Sequence, residues 1–127
     1  MRKLIFIASL ALLAGATATA RPLKPEQEAR IKPAGKPENC VQLRSIRETR
    51  VRDDSTIDFY MLGGKVYRNR LPHSCPQLGL EEKFLYKTSL SQLCNVDIIT
   101  VLTNGPGLSR GASCGLGQFQ PITGAPK

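Results

Sequence analysis

The chain has 127 residues, 18 Lys and Arg against 10 Asp and Glu, a formal charge of +8, four cysteines and no tryptophan. So short a chain is one small domain, and its few aromatics exclude a large core. The basic balance favours anionic partners but says nothing about fold.

The chain opens with a short positive start, Arg2 and Lys3, then the apolar run Leu4 to Ala16 and the small-x-small site Ala18-Thr19-Ala20. This is the pattern of a signal peptide cleaved after Ala20, and it predicts a periplasmic or secreted product. The run is shorter than the roughly 20 residues a membrane span needs, and no other stretch approaches that length, so no transmembrane segment is expected. Cleavage would lower the formal charge from +8 to +6 by removing Arg2 and Lys3. Residues 21–38 follow, rich in proline and charge and poor in large apolar side chains, and predict a flexible tether. Residues 39–122 are the expected folded domain, and 123–127 a loose C-terminal tail.

Within residues 39–122 the hydrophobic period is mostly two. Cys40, Leu43 and Ile46 recur every three residues and predict a short helical turn, and Ser89 to Leu93 another. Ile46 to Arg52, Thr56 to Leu62 and Lys65 to Leu71 read as a three-stranded meander. Its first turn is Asp53-Asp54-Ser55, and its second is Gly63-Gly64, where a tight hairpin needs positive φ twice. Strands are also expected around Phe84 and Tyr86, over Asp97 to Leu102, and over Cys114 to Phe119. The fold class is therefore mainly β, a small disulfide-stapled barrel or sandwich of about five to six antiparallel strands with one or two helical turns.

His73, Cys75, Cys94 and Cys114 formally offer a zinc set, but the cysteines lack the close pairing of zinc motifs. Nor is there a C-x-x-C redox pair. Two structural disulfides fit an exported small domain. Of the three possible pairings, Cys40–Cys114 and Cys75–Cys94 are favoured. One closes the ends of the sheet, and the other clips the loop around the Phe84–Tyr86 strand.

No catalytic set emerges. His73 adjoins Ser74 without a spaced third member, and Asp53-Asp54 and Glu81-Glu82 sit at turns. The glycine-rich stretch Thr103 to Gly117 lacks the Gly-Lys-Ser/Thr of a phosphate loop and reads as a connection. No cofactor or metal is implied. If Ile57, Phe59 and Met61 face inward, then Asp58 and Tyr60 face outward. Flanking strands add Glu48, Arg50 and Arg52 on one side and Arg68 and Arg70 on the other. An aromatic among arginines suits anion binding, so Arg50, Arg52, Tyr60, Arg68 and Arg70 form the candidate face. For an exported protein, nucleic acid is set aside as a partner in favour of an anionic envelope component or an acidic protein.

The segments from Cys40 to Gly79, "SQLCNVDIITVL" and "GASCGLGQFQPI" together resemble a family of small exported proteins of Gram-negative, mainly alphaproteobacterial, bacteria, catalogued as a domain of unknown function. The resemblance lies in the layout: an Asp-rich turn, a glycine hairpin, Cys-Pro-x-Leu, Leu-Cys-x-x-Asp and Cys-Gly-x-Gly. It implies an exported domain over about residues 39–122 and assigns no activity or site. The expected function is a non-catalytic envelope accessory or binding domain that uses the Arg/Tyr face. The alternative is an inhibitor of an envelope-targeting hydrolase acting through the loop 103–113.

Overall fold

The computed structural model describes residues 22–88, 90–105 and 107–127. The expected signal segment and Arg21 lie outside the described residues, as do Ser89 and Pro106. The elements in chain order are α1 (Pro25–Arg30), β1 (Lys32–Pro33), β2 (Cys40–Gln42), a 3-10 turn (Leu43–Ser45), β3 (Ile46–Asp53), β4 (Thr56–Met61), β5 (Val66–Arg70), α2 (Leu78–Glu81), β6 (Phe84–Tyr86), β7 (Gln92–Cys94), β8 (Ile98–Gly105), β9 (Gly107–Gly115) and β10 (Phe119–Thr123).

The meander is present as β3-β4-β5, extended by β10 and β1 into a five-stranded antiparallel sheet of order β1-β10-β5-β4-β3. Gly63 and Gly64 turn the β4–β5 hairpin at φ +88° and +90°, a conformation that costs glycine little and other residues much. A three-stranded sheet, β6-β8-β9, and the pair β2-β7 form the opposite layer. The fold is a sandwich; its sheets do not close into a barrel. Several strands are only two or three residues long, and so the described strands outnumber the five or six expected.

The alternation along β4 aims Ile57, Phe59 and Met61 at the layer between the sheets, where they meet Leu78, Leu93, Ile99 and Val101. Phe119 meets Phe59 edge to face with centroids 5.3 Å apart, and Tyr67 stands edge-on to Phe119 at 6.5 Å. Fully burying one such side chain stabilises by roughly 1.5–3 kcal/mol. Asn69 is buried in this layer, where a polar group is tolerated only if bonded. Its side-chain amide donates to Gly117 O at 2.7 Å and its carbonyl accepts from Gly117 N at 2.8 Å. A Cβ at Gly117 would lie 2.1 Å from Arg70 O, so this approach admits only glycine.

The disulfide pairing differs from the expected one. Cys40 bonds Cys94 and Cys75 bonds Cys114, in place of Cys40–Cys114 and Cys75–Cys94. The reason is strand register: β2 pairs antiparallel with β7, which sets Cys40 directly opposite Cys94 at a Cα separation of 4.0 Å. Cys75, fully buried after β5, meets Cys114 on β9 across the core. The two bridges span sequence separations of 54 and 39. On chain-entropy grounds, loops of that size contribute roughly 4 kcal/mol each.

Other expectations are also corrected. The segment 22–38, expected as a tether, carries α1 and β1, and Glu38 bridges to Phe119. The residues 123–127, expected to be loose, begin with the last residue of β10 and fold back so that Pro126 O accepts a hydrogen bond from Tyr60. Local composition cannot register this, because both segments are held by the sheet beneath them. The glycine-rich stretch is the β8–β9 hairpin, and the strand expected over Cys114 to Phe119 divides into the end of β9 and the start of β10. The helical turn expected over Cys40 to Ile46 is β2 followed by a 3-10 turn, and within Ser89 to Leu93 the described residues enter strand β7.

Tryptic cleavage at Arg44, Arg70, Lys83, Lys87 and Arg110 puts the four cysteines in four different peptides. A non-reducing digest should yield linked peptides containing Cys40 with Cys94 and Cys75 with Cys114. Recovery of Cys40 linked to Cys114 would refute the register of β2 on β7.

Candidate anion-binding site

The candidate residues stand together as the alternation requires. Registers Arg50↔Asp58 and Asp58↔Arg68 place an acidic residue of β4 between arginines of β3 and β5, on the sheet face turned away from the core. The expected exposure does not hold, however. Arg52, Tyr60 and Arg68 are all buried, and Asp58 is fully so.

The cover comes from the two chain ends. Ile31 and Ala125 pack against Tyr60, Val66 and Ile122. Beneath them Asp58 Oδ2 accepts from Arg52 Nε at 2.9 Å and from Arg68 Nη2 at 3.0 Å, and Oδ1 accepts from Arg68 Nε at 2.8 Å. Arg68 Nη1 donates to both carboxylate oxygens of Glu28 on α1, at 2.9 and 3.0 Å. Tyr60 OH accepts from Arg52 Nη2 at 3.0 Å and donates to Pro126 O at 2.6 Å. Arg50 lies over the Tyr60 ring, 4.1 Å from its centroid, and donates to Glu48 at 2.8 Å and to Pro126 O at 3.2 Å.

Within this network Arg50, Arg52 and Arg68 are matched by Glu48, Asp58 and Glu28. Burial alone would disfavour the charge on Arg68, but hydrogen bonds and fields from Asp58 and Glu28 outweigh it and raise its pKa. The same balance raises Arg50: desolvation lowers it, but Glu48 and Tyr60 more than compensate. Both guanidiniums therefore stay cationic at any ordinary pH.

Arg70 differs from the other four candidate residues. It is exposed, and its guanidinium has no hydrogen bond or ion pair among the described residues. Together with Arg68 it borders a cleft of about 410 Å³ with apolar walls from Ile31, Pro33 and Ile122, and with Gln118 at its margin. The arrangement suits electrostatic recognition of an anionic group beside a small apolar one.

The remaining titratable candidates are dispersed. Asp53 caps its own turn by accepting from Ser55 N, and Asp54 accepts from Gly79 N at 2.7 Å. His73 is exposed on a loop, and the cysteines that could join it in a metal set are tied in disulfides. Among the described residues no group of three His, Cys, Asp or Glu side chains is placed to hold a metal ion.

Two network partners escaped the sequence reading, Glu28 and Pro126, because both lie in segments read as loose. A signal for α1 was present: Pro25 at the first helical position, and Gln27 reaching back to accept from Lys24 N at 3.0 Å.

Removing Asp58 would strand two buried guanidiniums, so Asp58→Ala should cost about 3–5 kcal/mol in urea unfolding. Glu28→Gln, at the exposed rim of the same network, should cost less than about 1 kcal/mol. Equal losses for the two would contradict the burial of the network. No family model, curated protein or solved structure matches this chain.

Proposed function

We propose that the chain is an exported, non-catalytic envelope accessory domain that binds an anionic partner through its arginine face, with Arg70 as the point of entry. One observation carries the reading: of the five candidate residues, Arg70 alone is exposed and lacks a partner among the described residues, and it stands beside a cleft. Export is supported by the signal-like opening Arg2 to Ala20 and by two disulfides, which are compatible with an oxidising compartment. A binding role is favoured because the clustered charges are spent on one another, which leaves the Arg70 guanidinium exposed at the cleft.

A second reading, inhibition of an envelope-targeting hydrolase, rests on the β8–β9 hairpin. Its far half is exposed at Asn104, Ser109 and Arg110, and the Cys75–Cys114 bridge fixes its base. An exposed hairpin tied at its base can enter a cleft. Replacing residues 103–110 by a short turn should abolish inhibition under that reading and leave anion binding intact under the first.

For the leading reading, Arg70→Glu should weaken binding to anionic probes at least tenfold at low salt, and His73→Ala should not change it. The probes are polyglutamate, an acidic polysaccharide and phosphatidylglycerol vesicles. Unaltered binding by the Arg70→Glu protein would remove Arg70 from the site. Failure of the wild-type protein to retain any of the three would reject the function.

A further inference from the structure

The two carboxylates on Arg68 are held differently. Asp58 engages the Nε–Nη2 edge of the guanidinium as a fully buried part of the sheet. Glu28 takes the remaining Nη1 from outside, and its side chain is 44% exposed against 3% for Arg68. The inner pair belongs to the fold, whereas the outer position accepts a carboxylate brought to the surface.

That carboxylate arrives on a weakly attached element. No residue of α1 is buried, and a six-residue helix is too short to persist by itself. From Ile31 onward the chain is held more firmly. Ile31 packs against the Tyr60 cluster, Lys32 and Pro33 pair with β10, and Ala34 N donates to Pro121 O at 2.8 Å. The boundary between a lightly held and a firmly held segment therefore falls near Ile31.

Resting on the anion-binding reading above, we propose that Glu28 is a built-in occupant of the site, and that the partner is an acidic polypeptide segment that displaces it. The partner's carboxylates take the Glu28 position on Arg68 and pair with Arg70. These two arginines lie two residues apart on one face of β5, about 6–7 Å along the strand. A glutamate-bearing peptide fills the Arg68 position in the free protein, which identifies the chemistry the position accepts. Ile31, Pro33 and Ile122 offer the apolar stems of such a segment a surface to lie on. Binding lifts α1 from the sheet by competition, so the free protein binds more weakly than the uncovered one by the fraction of time the site stands open.

The test uses the chain from residue 21 to 127 and hexaglutamate as probe, with inorganic phosphate and phosphatidylglycerol vesicles for comparison. Glu28→Gln should bind hexaglutamate about three- to fivefold more tightly than wild type. In the wild-type protein, amides of residues 27–30 should exchange faster with deuterium as the probe is added. Arg70→Glu should abolish binding in both backgrounds, and Arg44→Glu, at an exposed position away from the face, should leave it within twofold. If Glu28→Gln matches wild type and exchange over α1 is unmoved while Arg70→Glu still abolishes binding, the occupant idea falls and the anion-binding reading survives. If Arg70→Glu binds as well as its parent in the Glu28→Gln background, both fall. Retention of vesicles or phosphate without hexaglutamate overturns the acidic polypeptide as partner. The wild-type exchange readout keeps the test decisive even if Glu28→Gln lowers stability.

Discussion

Asp58 is the fixed point of this molecule. It is a fully buried carboxylate in the middle strand of a meander, and it accepts three hydrogen bonds from arginines of the two flanking strands. A buried charge is tolerated only when its partners are in place, because the desolvation cost is otherwise unmet. That requirement fixes the register of β3 and β5 on β4 together. It also decides what the chain ends must do. Two buried guanidiniums have more donors than one carboxylate can absorb; Glu28 accepts from Arg68 Nη1 and the Tyr60 hydroxyl accepts from Arg52 Nη2 while itself donating to Pro126 O. No buried side-chain nitrogen or oxygen among the described residues is left without a partner.

Much of this was legible from the sequence, and the divide is physical. The β4–β5 hairpin could be read because Gly63-Gly64 specifies its turn locally and the alternation Ile57, Phe59, Met61 specifies its face. The same alternation brought Arg50, Arg52, Tyr60, Arg68 and Arg70 to one surface. What alternation cannot tell is whether that surface is wet. The cover comes from residues 22–38 and 124–127, whose composition offers little to bury and whose order depends on a sheet that only the whole fold creates. The cysteine pairing failed for a related reason. Four widely spaced cysteines leave the choice to strand register, and β2 and β7 are too short to announce their pairing. Leu-Cys-x-x-Asp, visible as a motif, acquires its meaning only in the fold, where Asp97 accepts from Cys94 N at 2.6 Å and closes the turn after β7.

The two layers are stabilised by different means. On the side of β2, β7, β8 and β9, the disulfides constrain the unfolded chain and the apolar core fills the gap. On the outer face of the five-stranded sheet, charge pairing and the packed chain ends do the work. This division leaves the molecule basic while consuming most of the charge on its most arginine-rich face. Arg70, the last residue of β5, is exposed beside the cleft that Ile31 and Pro33 wall, and among the described residues its guanidinium has no hydrogen bond or ion pair.

The most direct test of the buried network is the nuclear magnetic resonance of the arginine Nε–H groups. Arg52 and Arg68 both donate Nε–H to Asp58. Their resonances should exchange slowly with solvent and should shift or vanish together in the Asp58→Asn protein, whereas the Nε–H of Arg70 exchanges at the rate of a free guanidinium. If every arginine Nε–H exchanges at the free rate, or if Arg52 and Arg68 respond independently to the substitution, no shared buried carboxylate joins them and the account fails at its centre.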